Sequence, residues 1–166
     1  MDSWDGKAYR RVLVVRGQPL LVRIIQTGTP KSPRLRADVS GPRADASMRS
    51  VVRQTVGRIL GTEIDLKPFY SLAARHRKLQ QLTQPFVGMK PPRFPDAFEA
   101  LVNGIACQQL SLTAGIRMLN RLARNFGLAV EESSLSFYAF PRPQDLANLQ
   151  QHDIHNSVST VKKPGR

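Results

Sequence analysis

Apolar positions in the first 40 residues come in short blocks broken by turn residues. Tyr9-Arg10-Arg11-Val12-Leu13-Val14-Val15 reads as a strand, Arg16-Gly17-Gln18-Pro19 as a turn and Leu20 to Gln26 as a second strand. Thr27 to Pro33 reads as a loop, and Leu35-Arg36-Ala37-Asp38-Val39 alternates as a third strand should. Three strands in meander order need a cover on one face. The period then changes. Met48, Val51, Val52, Val56, Ile59 and Leu60 recur at helical spacing over Ala46 to Leu60, with Gly61 as the stop, and this helix is the predicted cover. A short helix over Pro68 to Lys78 follows. The proline-rich run from Pro85 to Pro95 supplies few amide donors and reads as a connection between subdomains.

The stretch from Asp96 to Gly127 organises the rest. Asp96 is placed to cap a helix, with Glu99 at capping-box spacing, and Phe98, Leu101, Val102 and Ile105 share one helical face. Ser111 or Thr113 can cap a second helix, with Ile116, Leu119, Leu122, Ala123 and Phe126 inward and Gly127 at its end as a left-handed residue. Between the two helices stands Gln108-Gln109-Leu110-Ser111. Adjacent glutamines are costly to bury unpaired, so they face water or await a polar partner. Beyond Gly127 the chain turns acidic and polar (Glu131 to Ser134). Phe137 to Pro143 is an extended apolar patch, Gln144 to Gln151 a short helix with Leu146 and Leu149 inward, and the end has no periodicity. The fold class expected is α+β: a small antiparallel β-sheet with covering helices, followed by an incomplete all-α part. The divisions are an N-terminal β/α subdomain over 1–62, a connecting helix and Pro-rich loop over 63–95, a partial all-α domain over 96–155 and an irregular tail over 156–166.

Charge narrows the partner. The formal net charge is +13 over 166 residues, and residues 1–95 hold 18 Lys/Arg against six acids, 18 − 6 = +12. Most of these cations are arginines, which grip phosphate through two parallel hydrogen bonds. Nucleic acid is the first partner this balance suggests and an anionic membrane surface the second. A solvated face would carry the same charge. The single cysteine, Cys107, excludes an internal disulfide framework and a cysteine metal cluster, and it suits packing. No apolar run reaches the ~18 residues of a membrane span, and the polar start MDSWDGKAYRR is no secretory signal, so a cytoplasmic location is expected. His152 and His155 lie three apart, with too few further ligands for a metal site.

Four stretches resemble the DNA-3-methyladenine glycosylase II family of the helix-hairpin-helix DNA glycosylases. Pro95 to Val102 with Ile105 is similar to that family's Asp-x-Phe-Glu helix, and Cys107-Gln108-Gln109-Leu110-Ser111 to its Gly-Gln-Gln-Val-Ser junction. Phe140 to Ala147 is similar to its Phe-Pro-(Thr/Arg)-Pro-x-x-Leu-Ala, and Trp4-Asp5-Gly6 with Tyr9 to Leu13 to a strand pair of its N-terminal subdomain. The resemblance implies an enzyme of base-excision repair that flips an alkylated base out of duplex DNA and hydrolyses its N-glycosidic bond. It puts Gln109 at the position that enters the duplex, Gln108 beside the pocket and Ser111 at the junction. Ser159-Thr160-Val161-Lys162 is similar to the Ser-x-x-Lys of the family's DNA-binding hairpin. These four, Gln108, Gln109, Ser111 and Lys162, are the DNA-binding candidates.

The chain departs from the pattern after His155. Pro164 blocks a continuing helix, and neither the glycine-rich hairpin nor the family's catalytic aspartate has a match. The expectation is a truncated form, inactive alone, monomeric, with no catalytic residue, metal or cofactor, and double-stranded damaged or alkylated DNA as partner. The alternative is a non-enzymatic, basic DNA-binding module whose binding is salt-sensitive and indifferent to damage. A decayed gene product without a stable fold is the third reading.

Overall fold

The computed structural model describes residues 1–29, 32–41, 45–91, 93–108 and 110–154. Gln109, His155, Lys162 and the expected tail over 156–166 lie outside the described residues. The chain forms two compact units: Met1–Val52 together with Asp96 onward, and Arg53–Pro95 between them. The strands and the segment from Asp96 group together in the first unit.

The first unit contains a four-stranded antiparallel sheet in sequence order: β1 (Ser3–Trp4), β2 (Ala8–Val15), β3 (Gln18–Thr29) and β4 (Ser32–Ser40). The Arg16-Gly17 turn is tighter than the sequence suggests. Both residues take positive φ, which matches the twist of the flanking strands, so Gln18 and Pro19 already belong to β3. Because side chains alternate, Val12, Val14, Leu21 and Ser40 share one sheet face, while Arg11, Leu13, Leu20 and Val22 share the other.

The first face is covered from far downstream. Val12 and Leu21 pack with Ala139, flanked by Leu128, Val130 and Phe137. Those residues belong to or directly flank a hairpin, β5 (Ala129–Glu132) and β6 (Leu135–Tyr138), where the sequence suggests only a polar stretch and an extended one. Its turn, Ser133-Ser134, holds two non-glycine residues at positive φ, and the usual Asn-Gly signal is missing.

Helix α1 (Ala46–Leu60) has the predicted bounds and buries Met48 and Val52; Gly61 ends it at φ +60°. In the second unit the predicted helix over 68–78 is two: α2 (Lys67–Ala73) and α3 (Arg77–Thr83), followed by a 3-10 turn at Gln84–Phe86. The Lys90 ammonium donates to the carbonyls of Gly61 and Ile64 at 2.7 and 2.9 Å, and the Tyr70 hydroxyl accepts from the Gly88 amide at 2.8 Å. Phe69 and Tyr70 meet as a tilted pair.

Helices α4 (Ala97–Ala106) and α5 (Leu112–Phe126) belong to the first unit, as does the short α6 (Pro143–Leu146). Ala106, Leu119, Leu122 and Phe140 form their core, with Phe98, Val102, Cys107, Phe126 and Leu146 packed against it. Phe98 and Phe140 make a tilted pair at 6.3 Å. Gly127, expected left-handed, has φ −83° and ψ 152°. What demands glycine there is space, because an added Cβ would run into the carbonyls of Ala139 and Ala123.

Three aspartates act as local anchors. The Asp5 carboxyl lies below its usual range because it accepts from the Ala8 amide, then from the Arg10 side chain and the Lys7 amide. The Met48 amide and Ser47 hydroxyl hold Asp45 down, and Arg142 does the same for Asp145. A depressed carboxyl stabilises the fold above its ordinary value and loses that contribution as pH falls through the folded value. The unfolding temperature is therefore expected to fall as pH drops below about 4. Replacing Asp5, Asp45 and Asp145 together by asparagine should flatten that limb in a pH series of thermal melts.

Candidate nucleic-acid interface

Each of the two helices opens on a side-chain cap, and the one at their junction is Ser111. Asp96 accepts from the Glu99 amide at 2.8 Å and opens α4, while Ser111 accepts from the Ala114 amide at 3.2 Å and opens α5. Of the two candidates Ser111 and Thr113, Ser111 is the cap. Gly115, buried on the first turn of α5, lets that turn approach the end of α4: a Cβ there would lie 2.8 Å from the Cys107 sulfur and 3.1 Å from the Ala106 carbonyl. Cys107 is a half-buried free thiol packed on the core, as read from the sequence. The two helices thus meet at a tight corner that turns Gln108, Leu110 and Ser111 outward.

Gln108 and Ser111 are exposed on that corner, which brings the two described candidates together. Leu110 and Leu112 beside them are exposed as well. The helix faces are rotated from the predicted ones. Leu101 and Ile105 are 63% and 60% exposed, and Ile116 is also exposed. Phe98, Val102 and Ala106 make the inner face of α4, with Glu99 buried among them. Helix α4 is apolar nearly all round, so spacing alone does not select a face. A charge does.

That charge is Arg11 of β2. Its guanidinium reaches across to the buried Glu99 carboxylate and also binds Asp2 at 2.9 Å. Glu99 therefore does not close a capping box; its side chain is spent on tying α4 to the sheet. Burial pushes the Glu99 carboxyl up, with Arg11 pulling the other way. Burial also opposes charge on Arg11, but Asp2 and Glu99 outweigh it and hold the guanidinium cationic. The two shifts differ in sense for one pair, and the cation, held by two carboxylates, is the firmer member. The sequence offers Glu99 only as a capping residue; the signal for more is an arginine inside an otherwise apolar strand, which needs a buried acid.

Most described acids are committed in this way. Asp2 and Glu99 serve Arg11, Asp5 serves Arg10, Asp145 serves Arg142, and Asp45, Asp65 and Asp96 accept backbone amides. Among the described residues no group of three or more His, Cys, Asp or Glu could hold a metal ion. Nor is any described helix long and apolar enough to cross a membrane.

No family model matches the chain. Over 99 residues it is 31% identical to a DNA-3-methyladenine glycosylase of Bacillus subtilis (strain 168), a match covering 60% of this chain and 33% of that protein. Over that span the chain is thus similar in sequence to a DNA-3-methyladenine glycosylase. Its fold agrees. It superposes on a 3-methyladenine DNA-glycosylase from Archaeoglobus fulgidus with a TM-score of 0.73 at 22% identity, over 98% of this chain and 58% of that one. It superposes on the Clostridium acetobutylicum 8-oxoguanine glycosylase/lyase, solved with double-stranded DNA containing cytosine opposite 8-oxoG, with a TM-score of 0.65 at 13% identity, over 97% and 60%. The expected α+β class and the expected resemblance both stand. The chain spans a third of the length of its Bacillus relative and somewhat over half of these structures.

The role of Ser111 can be split by substitution. Ser111→Ala removes the cap and should cost about 1 kcal/mol of stability. Ser111→Asp keeps a capping oxygen and adds an anion. It should unfold like the parent yet bind duplex DNA more weakly, which paired melts and DNA titrations would resolve.

Proposed function

We propose that this chain is the duplex-opening part of a DNA glycosylase of base-excision repair that acts on alkylated bases of the 3-methyladenine type. The observation that carries the proposal is the outward corner between α4 and α5, where exposed Gln108 stands beside exposed Leu110 and Leu112 on a turn capped by Ser111. A base swung out of the stack leaves an apolar gap and an orphaned partner base. Leucines suit the gap, and a glutamine amide can exchange hydrogen bonds with the orphaned edge. On this reading Gln109 enters the duplex, Gln108 lies at the pocket edge, and Ser111 and Lys162 contact the strand. The partner is double-stranded DNA bearing damage, bound by a monomer in the cytoplasm.

Base release needs a carboxylate free to face the sugar, whereas the acids around this corner hold arginines or helix ends. We therefore assign opening and holding of the duplex, rather than hydrolysis, to these residues. The test is affinity for a duplex with an abasic site relative to an intact one. The parent should prefer the abasic duplex, which lacks one base to displace, and Gln109→Ala should reduce that preference at least tenfold. Equal binding of both duplexes by the parent would instead favour a basic DNA-binding module indifferent to damage.

A further inference from the structure

We infer that the outer half of the β3–β4 ribbon is a second DNA contact, one that grips the sugar–phosphate backbone without reading sequence. The inference rests on the DNA-binding reading above. It starts from register. Arg23 faces Asp38, Ile25 faces Arg36, Thr27 faces Arg34 and Thr29 faces Ser32, all on one side of the ribbon. On the other flank Arg10 of β2 stands opposite Arg23. One surface therefore carries four arginines and three hydroxyls.

Its acids are few. Asp5 pairs with Arg10 at 2.6 Å, and Asp38 is shared between Arg23 at 3.5 Å and Arg36 at 3.4 Å. Counting these side chains, four arginines less two aspartates leaves 4 − 2 = +2. Arg34 makes no ion pair among the described residues. Thr29 uses its hydroxyl oxygen to accept from the Ser32 amide at 3.2 Å, which leaves its proton free to donate, and Thr27 bonds the Arg34 carbonyl only at 3.4 Å.

The ribbon also outruns the sheet. β2 ends opposite Ile25, so Gln26–Thr29 pairs with Ser32–Leu35 alone, exposed on both faces. A two-stranded arm with no buried face is marginal in water and gains order from a partner. Charges and Pro33 protect an open edge from pairing with another chain, but any charge would serve that end. Arginine adds a planar fork matched to phosphate. Arg34 and Arg36 are two residues apart on one face, about 7 Å, so each can take a separate phosphate. A positive ribbon lying along a polyanion follows from this.

The test measures the salt dependence of duplex binding by the full chain, on intact and abasic DNA. Replacing both Arg34→Glu and Arg36→Glu keeps the edge charged. It should lower affinity for both duplexes at least tenfold and reduce the log–log salt slope by about 2, since each phosphate left unneutralised removes roughly 0.9. Arg34→Gln alone, which breaks no ion pair, should reduce the slope by about 1. Arg34→Lys with Arg36→Lys should keep it. An unchanged slope and affinity in the Glu variant overturns the inference and leaves edge protection; if the abasic preference persists, the glycosylase reading stands without it. A reduced slope with no abasic preference in the parent supports the ribbon and sinks the glycosylase reading. Failure of the parent to bind either duplex overturns both. Loss of binding to anionic lipid vesicles, with DNA binding intact, would reassign the ribbon to a membrane surface.

Discussion

Replacing Glu99 by alanine is expected to lower the unfolding temperature by roughly 6–20 °C. The reason is not that the ion pair itself contributes much. Two charges taken out of water lose in desolvation most of what they gain from each other, but removing one strands the other in the interior, at about 3–5 kcal/mol. The Arg11 and Glu99 side chains are only 6% and 4% exposed, so water cannot replace a missing partner. For a chain of this length each kcal/mol moves the midpoint by about 2–4 °C. The damage should be less if both charges go together, as in Arg11→Met with Glu99→Leu, which leaves no orphan. A double variant as unstable as Glu99→Ala would show that the loss comes from packing, not from the stranded cation. The pH dependence has its own sign. Because burial raises the Glu99 carboxyl, its contribution is full below its ordinary value of about 4.5 and declines as pH rises through the folded value. Glu99→Gln should remove that decline while keeping the shape of the side chain.

Gly127→Ala, just past the end of α5, is expected to have the next largest effect. The backbone there is extended, so an alanine meets no conformational penalty. Its Cβ, however, would clash with the Ala139 carbonyl and sit 2.6 Å from that of Ala123. Both obstacles are main chain and are fixed by hydrogen bonds. Gly127 donates to Ala123 at 2.8 Å, and Ala139 donates to Leu128 at 2.9 Å. Relief requires pulling the segment around Ala139 away from α5, and Ala139 packs on Val12 and Leu21 of the sheet. Overpacking of this kind costs about 1–3 kcal/mol, and the upper end applies where nothing flexible can yield. Gly104→Ala is the matched control. That position on α4 is open, and a better helix former should stabilise by about 1 kcal/mol. If both variants melted like the parent, the close approach at Gly127 would be wrong.

These two positions show what the sequence could and could not reveal. Helix bounds were legible where a cap, a periodic face and a stop coincide: Ala46–Leu60 before Gly61, and α4 and α5 behind Asp96 and Ser111. Strand positions were legible from β-branched blocks. The choice of inner face on α4 was not, because Leu101 and Ile105 are as apolar as Phe98 and Val102. The deciding partner, Arg11, lies 88 residues away. The cover of the Val12–Leu21 face was missed for a related reason. Ser133 and Ser134 carry no turn signature, so the hairpin that lies on Val12 and Leu21 resembles a polar stretch. The exposure of Gln108 and Ser111 was legible from chemistry, since polar side chains between two apolar helices face water or await a polar partner. The ribbon face was not, because it exists only once the register aligns Arg34 and Arg36 with Thr27 and Arg23.

Opening of the duplex at this corner can be read from the fluorescence of a 2-aminopurine paired in the duplex. This base brightens when it leaves the stack. At saturating protein, fluorescence should rise with the parent chain and much less with Gln109→Ala, although the variant still binds. A duplex that saturates with protein and stays dark, or brightens equally with Gln109→Ala, would contradict opening at this corner.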